Sequence, residues 1–331
     1  MSPVTRPVLE VRDLQTHFET REGVVKAVDG VSFTLNQGEI IGLVGESGSG
    51  KTVTGFSLLG LVDPPGRIVG GSVRLNGAEL VGLPDKQLRR RRGREIAMVF
   101  QDPIATLNPL LTIRQQMFMA LQAHQSLSGK AMEARCVEVL HKVGIPEPAA
   151  RLHAYPHEFS GGMRQRVAIA IALLHDPAVI VADEPTTALD VSIQSQILHE
   201  MRSLTAQSGT AMIWISHDLA TVSSLATRLL VMYAGRVVEE GPVARVLRAP
   251  RHPYTQGLIA SLPATSKPGE ALAQVPGTTP SMLSLPPGCP FAPRCFKADE
   301  LCTQPPPVQT ADDRLWRCHH PLNTPDPRAP A

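Results

Sequence analysis

Ile40-Ile-Gly-Leu-Val-Gly45-Glu-Ser-Gly-Ser-Gly-Lys-Thr52 is the stretch on which the fold turns. Ile40 to Val44 is a short apolar run of strand-forming residues. Glycine, lysine and threonine then fall in the spacing G-x-x-x-x-G-K-[ST]. Beyond them Phe56, Leu58, Leu59 and Leu61 recur at near-helical intervals. Strand, glycine loop and helix in that order give the spacing its meaning. Glycines allow backbone N–H groups to turn towards one anion, and the start of a helix adds its dipole. Gly45, Glu46, Ser47, Gly48, Ser49 and Gly50 are therefore expected to wrap a chain of phosphates. Lys51 should reach the β- and γ-phosphates, and the Thr52 hydroxyl should coordinate Mg²⁺. A merely flexible glycine-rich turn would not account for the strand before and the helix after.

Ala178-Val-Ile-Val-Ala-Asp183-Glu184 supplies a second, acidic element. A buried strand ends there in two carboxylates. Asp183 is expected to hold the Mg²⁺ through water, and Glu184 to polarise the attacking water as general base. The roles must be separate, because a carboxylate committed to a metal is not available to a proton. A solvated Asp-Glu pair is the plainer alternative, but Lys51 lies 132 residues upstream of Asp183 in a phosphate-binding context.

Further strands are expected at Val8 to Val11, Val31 to Leu35, Ser72 to Leu75, Ile96 to Phe100 and Ala211 to Ile215. Helical patterns cover Ile113 to Gln125, Lys130 to Val143, Val167 to His175 and Val191 to Leu204. Strands alternating with helices imply a largely parallel sheet covered on both faces. The fold class is thus α/β, a P-loop NTPase with helices inserted over about residues 104–160.

The 331 residues suit one large domain and a smaller appendage. A composition of 43% hydrophobic and 19% charged residues is that of a globular chain. A formal net charge of +2 gives no reason to expect nucleic acid, so Arg89 to Arg92 with Arg94 reads as a solvated basic turn. The best apolar run, Val167 to Leu174, is far short of the ~18 residues of a membrane span. The first residues, MSPVTRPVLEVRDL, lack the apolar core of a signal peptide, which points to the cytosol.

After Pro263 the character changes. Residues 264–331 hold 14 of the 30 prolines, too many for an ordinary core of helices or strands. Four of the five cysteines, Cys289, Cys295, Cys302 and Cys318, fall here, separated by five, six and fifteen residues. No C-x-x-C pair of the usual zinc type occurs. Four thiolates in a core-poor stretch suit a [4Fe–4S] cluster that replaces the missing apolar core, with zinc and free thiols as the alternatives. Cys136, alone in a helical stretch, reads as a small packing residue.

Residues 8–245 resemble the ATPases of ABC transporters in four further segments. Phe159-Ser-Gly-Gly-Met163 is similar to the family signature, with Phe159 and Met163 departing from its commonest form; Ser160 stands 23 residues before Asp183. The resemblance implies that Ser160, Gly161 and Gly162 serve the ATP of a neighbouring subunit. Gln101 resembles the glutamine that contacts Mg²⁺ or water and links to the helical subdomain. Ala188-Leu189-Asp190 resembles the loop that crosses the dimer interface. His217 resembles the switch histidine that bonds the γ-phosphate, although alone it would read as a structural residue at a strand end. Phe18, which lies 27 residues before Gly45, matches the aromatic that stacks on adenine, with a core phenylalanine as the other reading.

Arg251-His-Pro-Tyr-Thr255 and the run Gly288-Cys-Pro-Phe-Ala-Pro-Arg-Cys295 resemble the extension of oligopeptide and dipeptide importer ATPases, some of which carry an iron–sulfur cluster. The resulting expectation is an ABC ATP-binding domain over 1–250, with its ABC-type helical subdomain, and a small Cys-rich C-terminal module over 251–331. The helix after His252 is read as structural or interfacial. The resemblance implies a peripheral ATPase on the cytoplasmic face of the membrane. Its partners would be two transmembrane permease subunits, a second and related ATP-binding subunit, and an extracytoplasmic solute-binding protein. Nickel or another small solute is the alternative cargo. A non-transport ABC ATPase of repair or translation is the rival, without the coiled coils or second cassette such proteins carry. A redox-sensing tail is the second rival.

Overall fold

The computed structural model describes residues 7–187, 189–263 and 273–322. Parts of the C-terminal extension and Ala188 therefore lie outside the described residues. In chain order the elements are β1 (Leu9–Thr20), β2 (Gly23–Leu35), β3 (Ile40–Val44), α1 (Lys51–Leu59), β4 (Gly66–Leu75), β5 (Ala78–Glu79), α2 (Asp85–Arg91) and β6 (Ile96–Val99). Helices α3 (Pro103–Thr106), α4 (Ile113–Gln122), α5 (Gly129–Lys142), α6 (Pro148–Arg151) and α7 (Gly161–Leu173) follow. Then come β7 (Val179–Asp183), α8 (Val191–Ser208), β8 (Ala211–Ser216), α9 (Leu219–Leu225), β9 (Arg228–Tyr233), β10 (Arg236–Pro242), α10 (Val243–Arg248), α11 (Pro253–Ala260), β11 (Val308–Ala311) and β12 (Arg314–Arg317). None of the described helices is long and apolar enough to cross a membrane.

Two compact units share these elements. One holds residues 75–214 with two short N-terminal pieces. Its strands run in the order β8-β7-β6, and β6 lies parallel to β7, with Ile96 beside Val179 and Val99 beside Ala182. Every residue of β7 and β8 is buried, as an apolar strand covered on both faces must be. Helices α4, α5 and α7 pack together beside them. A reciprocal cap starts α4: the Gln115 N–H donates to Thr112 Oγ1 at 3.3 Å and the Thr112 N–H to Gln115 Oε1 at 2.9 Å. Ile113, Met117 and Leu121, four residues apart, form its buried stripe. Arg166 on α7 ties the bundle, bonding the Val143 and Gly144 carbonyls at the end of α5 and pairing with Glu200 of α8 at 3.0 Å. Cys136 is buried in α5, and burial pushes its thiol up to about 11, in keeping with a packing residue. The helical cluster runs past residue 160, since α7 begins at Gly161.

The other unit holds residues 10–34, 41–74 and 215–331. Strands in the order β2-β1-β4 form one of its layers, and β11-β12-β10-β9-β3 the other. β3 is parallel to β9, and β9 turns back into β10 through Ala234 and Gly235, both at positive φ.

The proline-rich tail departs from expectation by forming strands. β11 and β12 make an antiparallel hairpin turned at Asp312 and Asp313, and β12 extends the sheet along β10, with Glu239 beside Trp316. Pro305, Pro306 and Pro307 stand just ahead of β11, where they remove no ladder hydrogen bond.

Glu239 on β10 is 0% exposed and anchors the tail. Its carboxylate accepts the Arg251 N–H at 2.9 Å, the His252 N–H at 2.8 Å and the Arg314 guanidinium at 2.6 Å. A buried charge in such a cage is costly to strand. Replacing Arg314 with Met should lower unfolding free energy by about 3–5 kcal/mol in urea titrations, the cost of an uncompensated buried carboxylate. Pairing R314M with E239Q should recover part of the loss.

Candidate functional site

Between β3 and α1 the chain folds back on itself so tightly that only glycine fits. A Cβ on Gly45 would stand 2.3 Å from the Met232 carbonyl oxygen, and one on Gly50, at φ 98°, 2.2 Å from that of Ala27. The loop is held from below as well: the Gly235 N–H donates to the Ser49 carbonyl at 3.0 Å, and Asp29 N–H to the Gly235 carbonyl at 2.9 Å. Ser47, Gly48 and Thr52 are exposed, while Ser49 and Lys51 are buried. The Lys51 ammonium lies inside the loop, donating to the Gly45 and Glu46 carbonyls at 2.8 and 2.9 Å. A loop of backbone donors at a helix start, with a lysine at its heart, has the groups that anion binding uses.

In the other unit β7 delivers Asp183, 4% exposed, and then Glu184 in the left-handed region at φ 45°. Such a backbone costs a non-glycine residue about 1–3 kcal/mol and is retained where geometry demands it. Two neutral donors meet Glu184 Oε2: Gln101 Nε2 at 3.1 Å and Thr187 Oγ1 at 3.1 Å. Gln101 and Glu184, separated by 83 residues, are thus brought together. The part of Thr187 has no signature in the sequence.

Ser160 N-caps α7, its Oγ accepting the Met163 N–H at 3.3 Å. The two glycines after it differ. Gly161 is exposed, with only Leu189 at 3.8 Å from an added Cβ; Gly162 is buried, and its Cβ would meet Ile193 at 2.5 Å. Gly162 is therefore needed for packing of α7 on α8, and Gly161 is the one open to a ligand. Asp190 is exposed at the start of α8 without capping it through its side chain. His217 is exposed just beyond β8, and it is Asp218 that caps α9, accepting the Ala220 N–H at 2.9 Å. Phe18 is half-buried on β1, its ring lying over Gly66, where a Cβ would approach Cε1 to 2.5 Å.

The ABC transporter family model matches residues 28–187, and that of the oligopeptide/dipeptide transporter C-terminal region matches residues 238–302. A Brucella abortus (strain 2308) ATP-binding protein named for peptide import is 49% identical over 315 residues, 95% of each chain. The dipeptide transport ATP-binding protein DppD of Escherichia coli (strain K12) is 43% identical over 318 residues, 96% of this chain and 97% of that one. The chain belongs to the ATP-binding subunits of oligopeptide/dipeptide ABC transporters. Among solved structures, the ATP-binding cassette MJ0796, a dimer in a post-hydrolysis state with ADP and Pi, aligns at TM-score 0.64 and 26% identity over 71% of this chain and 98% of that one.

In this ABC ATPase the C-terminal extension reaches the phosphate loop. The Glu46 N–H donates to Tyr254 Oη at 2.8 Å, and Arg294 grips the Glu46 carboxylate with both terminal nitrogens at 2.7 and 2.9 Å. Tyr254 and Arg294 stand 208 and 248 residues from Glu46, and no local pattern in the sequence announces either.

Cys289, Cys295, Cys302 and Cys318 line one pocket, together with His252, Phe291 and His320. Burial first, then the charge of neighbouring cysteines, pushes the Cys289 and Cys295 thiols up, and burial carries Cys318 to about 11. Among the described residues, one trio of metal-ligand atoms converges within 4.8 Å: Asp299, Cys302 and His320. Only Cys302 of the four cysteines belongs to it.

Gly162→Ala should destabilise the protein by about 1–3 kcal/mol through the clash with Ile193, while Gly161→Ala should leave stability within about 1 kcal/mol of the parent. Chemical denaturation of the two variants checks the contrast.

Proposed function

We propose that this chain hydrolyses ATP to energise uptake of di- and oligopeptides, working as a peripheral subunit on the cytoplasmic face of the membrane. What carries the reading is the presence, in one chain, of an ABC cassette and the C-terminal region of the oligopeptide/dipeptide transporters. Relatives named for dipeptide and oligopeptide transport match it along 95–96% of its length. The partners in this reading are two permease subunits, a second ATP-binding subunit related to this one, and an extracytoplasmic solute-binding protein.

The chemistry follows from the side chains. Lys51 exchanges its loop carbonyls for the β- and γ-phosphates, and the loop N–H groups neutralise the same anion. Thr52, Asp183 and Gln101 are the residues that would hold Mg²⁺, which supplies charge neutralisation on the phosphates. Glu184, oriented by Gln101 and Thr187, takes the proton of the attacking water. His217 bonds the γ-phosphate, Phe18 stacks on the adenine, and Asp190 contributes at the subunit interface. The exposed Ser160–Gly161 edge faces the nucleotide of the second subunit. One set of motifs per chain makes that second subunit necessary.

The four-cysteine pocket suits a [4Fe–4S] cluster. Burial pushes the Cys289, Cys295 and Cys318 thiols up, and a cationic centre is what would favour their thiolates. Backbone N–H groups already point at the sulfurs, Lys297 N–H donating to Cys295 Sγ at 3.4 Å. When bound, the cluster would cross-link four turns of a chain that has little apolar core. A single zinc would need its four sulfurs about 3.8 Å apart, given a Zn–S bond of ~2.3 Å, and among the described residues the trio of ligand atoms that converges contains just one of the four.

Glu184→Gln, assembled with the permease and partner subunits in proteoliposomes, should bind ATP normally but lose turnover by about 10²–10⁴-fold and abolish peptide uptake. Normal hydrolysis would remove Glu184 as the base; ATP turnover stimulated by nickel and not by peptide would replace the cargo. Protein purified without oxygen should be brown and carry about four irons per chain. Colourless, iron-free protein would discard the cluster.

A further inference from the structure

We propose that Arg294 of the C-terminal extension is a positioning residue for the ATP site, acting through Glu46 to hold the phosphate loop in its binding shape. The inference rests on the reading of Gly45 to Thr52 as the phosphate loop.

Glu46 is held at three points. Its N–H donates to Tyr254 Oη, its carbonyl accepts Lys51 Nζ, and its carboxylate lies in the fork of Arg294. Thr279 Oγ1 adds a donor to the same carboxylate at 3.3 Å. The guanidinium is itself fixed: 4% exposed, it donates Nε to the Pro276 carbonyl at 2.7 Å and lies 5.8 Å over the rings of Tyr233 and Phe291. Tyr254, Tyr233 and Phe291 form one aromatic cluster under it, with ring centroids 4.7 to 5.3 Å apart. Fork-to-carboxylate geometry with packed rings is a rigid mount, not a surface ion pair.

Two physical consequences follow. Binding a phosphate draws Lys51 away from the Gly45 and Glu46 carbonyls, so the loop loses two internal bonds when it must keep its shape. Arg294 and Tyr254 do not depend on Lys51 and hold Glu46 through that exchange. Further, a carboxylate inside a phosphate loop repels a polyphosphate, and the guanidinium cancels that charge at the point where it does harm. Arg294 ends the turn Ala292–Arg294 between Cys289 and Cys295, so the cysteine-lined pocket and the phosphate loop share one short segment.

The test is a double-mutant cycle on the full chain, reading Kd for Mg-ADP and Mg-ATPγS by calorimetry, with KM and kcat alongside. Arg294→Met should weaken nucleotide binding about tenfold or more and raise KM, with kcat at saturation little changed, since an unpaired carboxylate is left beside the anion. Glu46→Gln, which breaks the same fork, should weaken binding too, though less than R294M because it strands no carboxylate beside the anion, and in that background R294M should cost little more, because the contact it removes is already lost. Arg294→Lys should fall between, keeping the charge and losing the fork. The loss in R294M should deepen at low salt. Equal losses from R294M in the two backgrounds, or unchanged affinity in a folded R294M, would overturn the proposal. Should R294M not fold, the ordering of R294K, E46Q and the double variant decides by the same comparison. Lys51→Ala separates the underlying reading: intact affinity there would sink the phosphate loop itself, whereas lost affinity in K51A with none in R294M sinks only the role of Arg294.

Discussion

Backbone runs against backbone at the phosphate loop, and the site depends on that proximity. Gly45 lies under the Met232 carbonyl and Gly50 under that of Ala27, at separations that leave no room for a side chain. The loop is therefore shaped by β9 and β2 as much as by its own residues. Its N–H groups are aimed before any anion arrives, which is what preorganised anion binding requires. Bound this way, the loop needs neighbours that do not move, and the β9–β10 turn provides one through the Gly235 bond to Ser49.

The extension beyond β10 belongs to this mechanical frame. The buried Glu239 carboxylate joins β10, the start of α11 and β12 in one charged knot, and Arg294 and Tyr254 carry the connection to Glu46. Burying an ion pair is justified when geometry matters more than net stability, because the alternatives to full pairing are so unfavourable. The extension keeps its place by such pairs.

The α/β order and the glycine loop between β3 and α1 were legible because both rest on local chemistry. Apolar runs of strand length, glycine spacing and helix caps act over a few residues, and β3, α1, β7 and β8 stand close to where their patterns predict. The signature segment was legible by resemblance, yet its two glycines look alike in the sequence and differ in the fold. Only the packing of Ile193 shows that Gly162 is a structural glycine and Gly161 an accessible one. The strands in the tail were hidden, since proline content argued against a ladder that in fact begins just after Pro307. The four cysteines were visible as a group, and their lining of one pocket was not.

The sequence by itself determined the chemistry on offer: a glycine loop with a lysine at a helix start, a strand ending in two carboxylates, and four thiols close along the chain. These are properties of residue type at short spacing, and short spacing survives without a fold. Tertiary structure alone decided which charged and polar groups meet. Glu46 with Arg294, Glu239 with Arg314 and Gln101 with Glu184 are 248, 75 and 83 residues apart. A charge carries no mark of its partner along the chain. Coulombic pairing depends on distance in space, and only the folded backbone sets that distance.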